Sequence, residues 1–294
     1  LDWVNSGYHA IWYYGIDKGI FKAGGVDLEV LEGRGSASTA QTVANNSVMF
    51  GTADAGATMG LIAQGLPIKI VGGYLRQSPL AIIFPKKNNW TKWSDMANSR
   101  LAYSAGGASA LVLPAVFKAT GLEGKVQMIS MEPAAKPTSV LTGKADAMES
   151  FDFLQVPVLE ANGMPAATFS YASAGVNVPG LALVTSNDMI QKNPALIRKM
   201  VDLMQQTLVA SRKDPEGAID SLMKRSPTLK RDVQLHVLKL SFNLLEPDWG
   251  KGQQLAWLSS AEMEKSQDVL VQYGGIKTKQ PISNYFTNDF VPKS

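Results

Sequence analysis

The residues best suited to chemistry sit in short polar loops that follow apolar runs. Asn5-Ser6-Gly7-Tyr8 follows LDWV, and Gly33-Arg34-Gly35-Ser36 follows VDLEVLE. Asp54 ends VMFGTAD, Gly106-Gly107-Ala108-Ser109 follows RLAYSA, and Glu149 and Asp152 close ADAMESFD. If the runs are strands of parallel α/β sheets, these loops share the rim beyond the strands' carboxyl ends, where such sheets bind ligands. Gly106–Ser109 is either a plain tight turn or a helix start whose N–H groups hold an anion or strong acceptor. Glu149 and Asp152 either cap the next helix or accept from ring N–H and amino groups of a ligand. Trp3 is either a core residue or a stacking wall for a flat solute.

Catalytic sets find less support. Gly33-x-Gly35-x-x-Ser38, with Asp54 downstream, approaches a dinucleotide fingerprint but lacks the third glycine that close helix–strand packing requires. That strand would also be the second of its domain, where the fingerprint strand is normally the first. No G-x-S-x-G elbow occurs, which leaves a serine-hydrolase triad without support. Asp146 and Glu149 would point to opposite faces of one strand, so they do not form a metal site or an acid/base pair. His9 and His236 are the only histidines, and His9 reads as structural, at the start of a helix. With no cysteine, disulfides, thiolate metal sites and a thiol nucleophile are excluded. No catalytic residue, metal or cofactor is expected. A net charge of +3, with no Lys/Arg block interleaved with aromatics, gives no nucleic-acid surface.

The elements that must position these loops alternate. LDWV and VDLEV read as two parallel strands joined by one helix carrying Trp12, Ile16 and Ile20, with Gly24-Gly25 as its end. STAQTVANN reads as a helix, VMFGTAD as a strand and AGATMGLIAQG as a helix of small residues. IKIVGGY and PLAIIF form two strands joined by Arg76-Gln77-Ser78. Lys86-Lys87-Asn88-Asn89 reads as a crossing between two lobes. Strands RLAYS, VQMISM, ADAMESF and PAATFSY then alternate with helices, and NVPGLALVTS reads as the return crossing. Beyond Asp188 the chain is helical, with Leu196, Met200, Met204 and Leu208 as one stripe. Asn193-Pro194, Asp214-Pro215 and Ser226-Pro227 each place a capping residue before a proline at the first helical position. Length (294 residues), 45% hydrophobic and 18% charged residues suit two globular lobes. The uncharged span 161–187 is broken by Asn162, Pro165, Asn177 and Pro179 and reads as strand and hinge, not as a membrane helix.

LDW, His9, GIDKGIFKAGGVDLEV, GRGS, FGTAD, IKIVGGYLRQSPLAIIFPK, SAGGAS and GKADAMESF together resemble the periplasmic solute-binding proteins of ABC importers. More narrowly, they resemble the thiamine-precursor-synthesis-like branch, which is similar to alkanesulfonate, taurine and nitrate binders. The resemblance covers the first 185 residues or so. It implies a two-lobed α/β fold of the type II periplasmic binding class, with mostly parallel sheets and a helical C-terminal part. It places lobe 1 at residues 1–87 and 182–294, lobe 2 at 88–181, and hinge crossings near 86–90 and 176–184. It also implies a monomeric, non-enzymatic periplasmic or lipoprotein receptor, processed from a precursor with a signal peptide, that serves an ABC permease and its ATPase. The eukaryotic pyrimidine-synthesis enzymes that resemble this branch depend on cysteines absent here. The expected ligand-binding set is Trp3, Asn5, Tyr8, Gly35, Ser36, Thr39, Asp54, Gln77, Ser78, Gly107, Ser109, Glu149 and Asp152. The expected solute is a small aromatic or heterocyclic molecule of the pyrimidine type. The alternatives are a sulfonate, nitrate or aromatic carboxylate held by Arg34 or Arg76, or a dinucleotide-dependent enzyme built on the Gly33 loop.

Overall fold

Apolar runs too short to bury themselves alone are gathered in this chain into two sheets, covered by helices. A computed structural model describes residues 1–273 and 275–293. Its helices and strands, in chain order, are α1 (Ala10–Asp17), α2 (Ile20–Ala23), α3 (Ser36–Ala44), β1 (Phe50–Asp54), α4 (Ala55–Ala63), β2 (Ile68–Gly73) and β3 (Leu80–Pro85). Then come β4 (Arg100–Tyr103), α5 (Ala108–Thr120), β5 (Gln127–Ser130), α6 (Ala135–Leu141), β6 (Ala147–Phe151), α7 (Asp152–Glu160), β7 (Ala166–Ser170) and β8 (Leu181–Ser186). The C-terminal part holds α8 (Asn187–Lys192), α9 (Pro194–Lys213), α10 (Pro215–Arg225), α11 (Arg231–Phe242) and α12 (Ser260–Gln272).

The first lobe carries a three-stranded sheet ordered β1-β8-β2, and the second a five-stranded sheet ordered β5-β4-β6-β3-β7. β8 is wholly buried, and its register sets Asp54 opposite Leu181 and Ile68 opposite Ser186. In the second sheet, Leu80, Ile82 and Phe84 of β3 enter the main core, while Ala81 and Ile83 face a smaller cluster with Val140, Met148 and Leu159. This alternation is the period-two pattern of a strand covered on both faces.

Pairing is mixed. β4 runs parallel to β5 and β6, whereas both pairs of the first sheet, and β3 with β6 and β7, are antiparallel. The expectation of mostly parallel sheets is corrected in this respect. The two expected N-terminal strands enter neither sheet. Leu1–Trp3 and Leu31–Gly35 lie side by side, tied only by Leu1 N to Leu31 O at 2.7 Å, Gly33 N to Trp3 O at 2.9 Å and Gly35 N to Asp2 O at 2.8 Å. The expected first helix is two helices, because the backbone turns left-handed at Gly19 (φ 71°) and breaks the Trp12–Ile20 stripe. Pro227 starts no helix. Ser226 ends α10, and α11 begins at Arg231 with Lys230 as its cap residue.

β3 belongs to the second sheet, so the chain first passes between sheets at 74–79, not at 86–90. Lys86–Asn88 is a short turn inside the second lobe, with Lys86 N on Pro165 O at 2.9 Å. The return passage runs from Tyr171 to Gly180, ahead of β8. Between Gly73 and Gln77 the outgoing passage is fixed to the C-terminal part. Arg76, 1% exposed, donates to the carbonyls of Leu245, Gly250, Gln254 and Trp257, and Gln77 N donates to Leu244 O at 3.0 Å. Among the described residues, no helix is long and apolar enough to cross a membrane.

Candidate functional site

Where the two lobes meet, a narrow cleft is lined by Asp2, Trp3, Tyr8 and Ser36 from the first lobe. The second lobe contributes Gly107, Ala108, Ser109, Lys136, Glu149, Ser150, Phe151 and Leu154. Its water-accessible volume is about 20 Å³, space for roughly one or two waters. The lobes touch directly at its edge, where Ala37 N donates to Gly106 O at 3.1 Å. Gly35 stands before this contact at φ 127°, and a Cβ there would lie 2.8 Å from the Gly106 carbonyl. Only glycine fits both the backbone angle and the approach.

The first wall is organised around Asp2, which is 3% exposed. Its Oδ1 accepts from Thr52 Oγ1 at 2.8 Å and lies 3.1 Å from His9 Nε2, and its Oδ2 accepts from Tyr8 OH at 2.8 Å. Burial by itself would raise the Asp2 pKa, but the bonds from His9, Tyr8 and Thr52 outweigh it and hold the carboxyl below its usual range. Burial lowers His9, against the pull of Asp2, so the ring is neutral at pH 7 and its Nε2–H serves Asp2. The structural role expected of His9 is this one. Tyr8 in turn packs edge-on against Phe153, with ring centroids 5.4 Å apart.

The second wall pairs charges. Lys136 Nζ on α6 donates to Glu149 Oε1 and to the Glu149 carbonyl, both at 2.8 Å, and Ser104 N donates to the same Oε1 at 2.8 Å. Both side chains are 1% exposed. Glu149 Oε2 takes no hydrogen bond from the described residues. The ammonium also sits 5.4 Å from the centroid of the Trp3 ring, so Trp3 bridges the two walls. Ser109 lies in the first turn of α5, and its carbonyl accepts from the buried Tyr171 OH at 3.2 Å. Gly107 N is consumed within the turn by Ser104 O at 3.0 Å, which leaves the following residues of α5 as the free donors at that end.

Of the thirteen residues expected from the sequence, Trp3, Tyr8, Ser36, Gly107, Ser109 and Glu149 line this cleft. The others stand elsewhere. Asn5 binds Tyr13 and Ser226, and Thr39 binds the Leu1 carbonyl. Gly35 makes the interlobe contact just described. Gln77 and Ser78 line a separate groove behind the passages, of about 450 Å³. Asp152 sits half-buried at the start of α7, its carboxyl raised by burial, with Oδ1 on Phe153 N. Asp54 is wholly buried beneath Ser36, whose Oγ accepts from Asp54 N at 3.0 Å, and its Oδ1 caps α4 through Ala57 N at 2.8 Å. Its Oδ2 has no hydrogen-bond partner among the described residues, and burial pushes its pKa up to about 7.

Sequence reasoning left Asp2, Ala108, Lys136, Ser150, Phe151 and Leu154 out of the set. A sequence signal exists for Phe151 alone, as the aromatic at the carboxyl end of an apolar strand. Neither arginine weighed for an anionic solute reaches the cleft, since Arg34 is exposed and Arg76 is held by carbonyls behind it. The near-fingerprint glycines serve packing. A Cβ at Gly33 would overlap the Leu1 carbonyl, and Gly35 abuts Gly106, which leaves no room for a pyrophosphate. Asp146 forms an ion pair with Arg100 at 2.7 Å, away from Glu149. No group of three or more metal-ligating side chains occurs among the described residues.

Residues 6–218 match the family described as NMT1/THI5 like, and the chain belongs to that family. The architecture is that of the periplasmic binding proteins. The chain is similar to a putative thiamine biosynthesis protein of Haemophilus influenzae, with 24% identity over 56% of this chain and 54% of that one. It therefore spans about half the length of that relative. It is also similar to the riboflavin-binding protein RibY of Chloroflexus aurantiacus, with 21% identity over 99% of this chain and 85% of that one. Among solved structures, the alkanesulfonate-binding protein SsuA of Xanthomonas axonopodis pv. citri, bound to MOPS, superimposes with a TM-score of 0.73 at 15% identity. That match covers 96% of this chain and 95% of the other.

Proposed function

We propose that the protein is an extracytoplasmic receptor that closes its two lobes on a small, neutral, planar heterocycle. It then delivers this solute to an ABC permease and its ATPase. The observation that carries the reading is the charge inventory of the cleft. Asp2 is held by its own lobe, Lys136 is matched by Glu149, and no guanidinium of the described residues enters. A sulfonate or carboxylate buried there would lack a free cation, and an unpaired buried charge is prohibitive. A flat ring instead finds Trp3, Tyr8 and Phe151 for its faces, Glu149 Oε2 for an N–H, and the α5 N-terminus with Ser36 and Ser109 for an acceptor. Two relatives, a putative thiamine biosynthesis protein and a riboflavin-binding protein, support a heterocycle of the pyrimidine type.

Entry of any such ring requires the lobes to part, breaking the contact between Ala37 and Gly106. With Arg76 and Gln77 anchored, the flexing falls to Ser78-Pro79 at the end of the outgoing passage and to the return passage at 171–180. Tryptophan-fluorescence titration with 4-aminopyrimidine, benzoate and butanesulfonate tests the ring class. Saturable binding of the aminopyrimidine alone is expected, and binding of butanesulfonate alone would overturn the reading. Solution scattering tests closure, because a bound ligand should shrink the radius of gyration.

A further inference from the structure

We infer that the ion pair between Lys136 and Glu149 sets the charge class of the solute, so that removing either partner converts the receptor to ligands of the missing charge. The inference rests on the reading of this cleft as the binding site. Lys136 is a buried ammonium whose only side-chain partner among the described residues is Glu149, at 2.8 Å, and it lies beside the Trp3 ring on the cleft surface. In Glu149→Gln the ammonium keeps the residue 149 carbonyl but loses its counter-charge. A buried cation without an anion is costly, and that cost becomes binding energy for any solute that brings one. Asp2, on the facing wall, does not supply the counter-charge, because both of its oxygens are engaged by Thr52, His9 and Tyr8. Lys136→Met is the mirror case. It leaves Glu149 held only by Ser104 N at 2.8 Å, and a cationic solute fills the gap. The wild-type pair therefore acts as an internal salt that excludes both classes.

The test uses the full chain in chloride-free buffer, since a small inorganic anion would compete for the freed ammonium. Calorimetric titration and thermal melting are run with benzoate, benzenesulfonate, benzylammonium and 4-aminopyrimidine. The proteins are wild type, Glu149→Gln, Lys136→Met and the double variant. Glu149→Gln is expected to bind both anions roughly ten- to a hundredfold more tightly than wild type, as a charge-assisted contact allows, and to melt higher in their presence. Lys136→Met is expected to gain benzylammonium by a similar factor. The double variant should gain neither, which separates a charge effect from loosened packing. A Glu149→Gln protein that gains neither affinity nor melting temperature with either anion overturns the inference, including one that fails to fold and is not rescued by them. If wild type ignores 4-aminopyrimidine while the variants still switch as described, the ring reading fails and this one stands.

Discussion

Both walls of the cleft bury a carboxylate, and they stabilise it by different means. Asp2 is surrounded by donors on three side chains of its own lobe, with the histidine among them neutral. Its charge is spread over hydrogen bonds that the fold supplies regardless of any ligand. Glu149 is held by a full counter-charge and one backbone N–H, all on a single oxygen, with the other oxygen left over. A carboxylate saturated by neutral donors fixes a wall in place. One matched by a cation, with a spare lone-pair face at a cleft, is the kind that remains available for recognition. Asp54 is a third case, one oxygen capping a helix and the other without a partner.

The sharpest break of this comparison is Lys136→Met, which strands Glu149 in the interior. A loss of about 3–5 kcal/mol in urea unfolding is expected. Adding Glu149→Gln should restore much of it, and a single variant as stable as wild type would show that water already screens the pair. Next is Asp54. Its pKa, raised from 3.8 to about 7, means that the folded state holds a proton the unfolded chain has lost between those values. Its contribution to stability is therefore present at low pH and lost as pH rises from about 4 to about 7, by up to about 4 kcal/mol. Asp54→Asn keeps a capping residue and should flatten that slope, and equal slopes in a pH series of unfolding curves would refute the assignment. Asp2→Asn should cost less, about 1–3 kcal/mol, because the site keeps its oxygen acceptor while the new amide faces donors. It should also lower His9 further from its ordinary value, since the carboxylate that opposes the effect of burial is gone, and proton NMR of the ring reads this directly. The smallest change is Ser36→Ala, which removes the acceptor for Asp54 N and should lower the melting temperature by the equivalent of about 0.5–1.5 kcal/mol.

The alternation of short apolar runs with helices, and the turn before α5, were legible because they rest on local pattern. So were the loops holding Trp3, Tyr8, Ser36, Ser109 and Glu149. Lys136 was much harder to place. Nothing in Ala-Lys-Pro-Thr marks its partner, and only the packing of α6 against β6 brings it to a carboxylate thirteen residues away. Asp2 looked like a strand acid, and its partners Tyr8, His9 and Thr52 converge only when the N-terminal segment lies beside β1. The crossing was misplaced for a similar reason. IKIVGG and LAIIFP are spaced like neighbouring strands of one sheet, and nothing local shows that they enter different ones. Antiparallel pairing of β8 with both β1 and β2 is likewise set by a strand more than a hundred residues later.

The way Arg76 and β8 are partnered also orders the assembly of the molecule as it is made. Every strand of the five-stranded sheet lies between Leu80 and Ser170, in one unbroken stretch of chain. The three-stranded sheet has its middle strand last, so β1 and β2 have no neighbour to pair with until Leu181–Ser186 has emerged. The guanidinium of Arg76 waits longer still, for carbonyls between Leu245 and Trp257. The lobe that begins the chain is thus the last to be finished, and its open strand edges are what a nascent protein must keep shielded until the C-terminal part arrives.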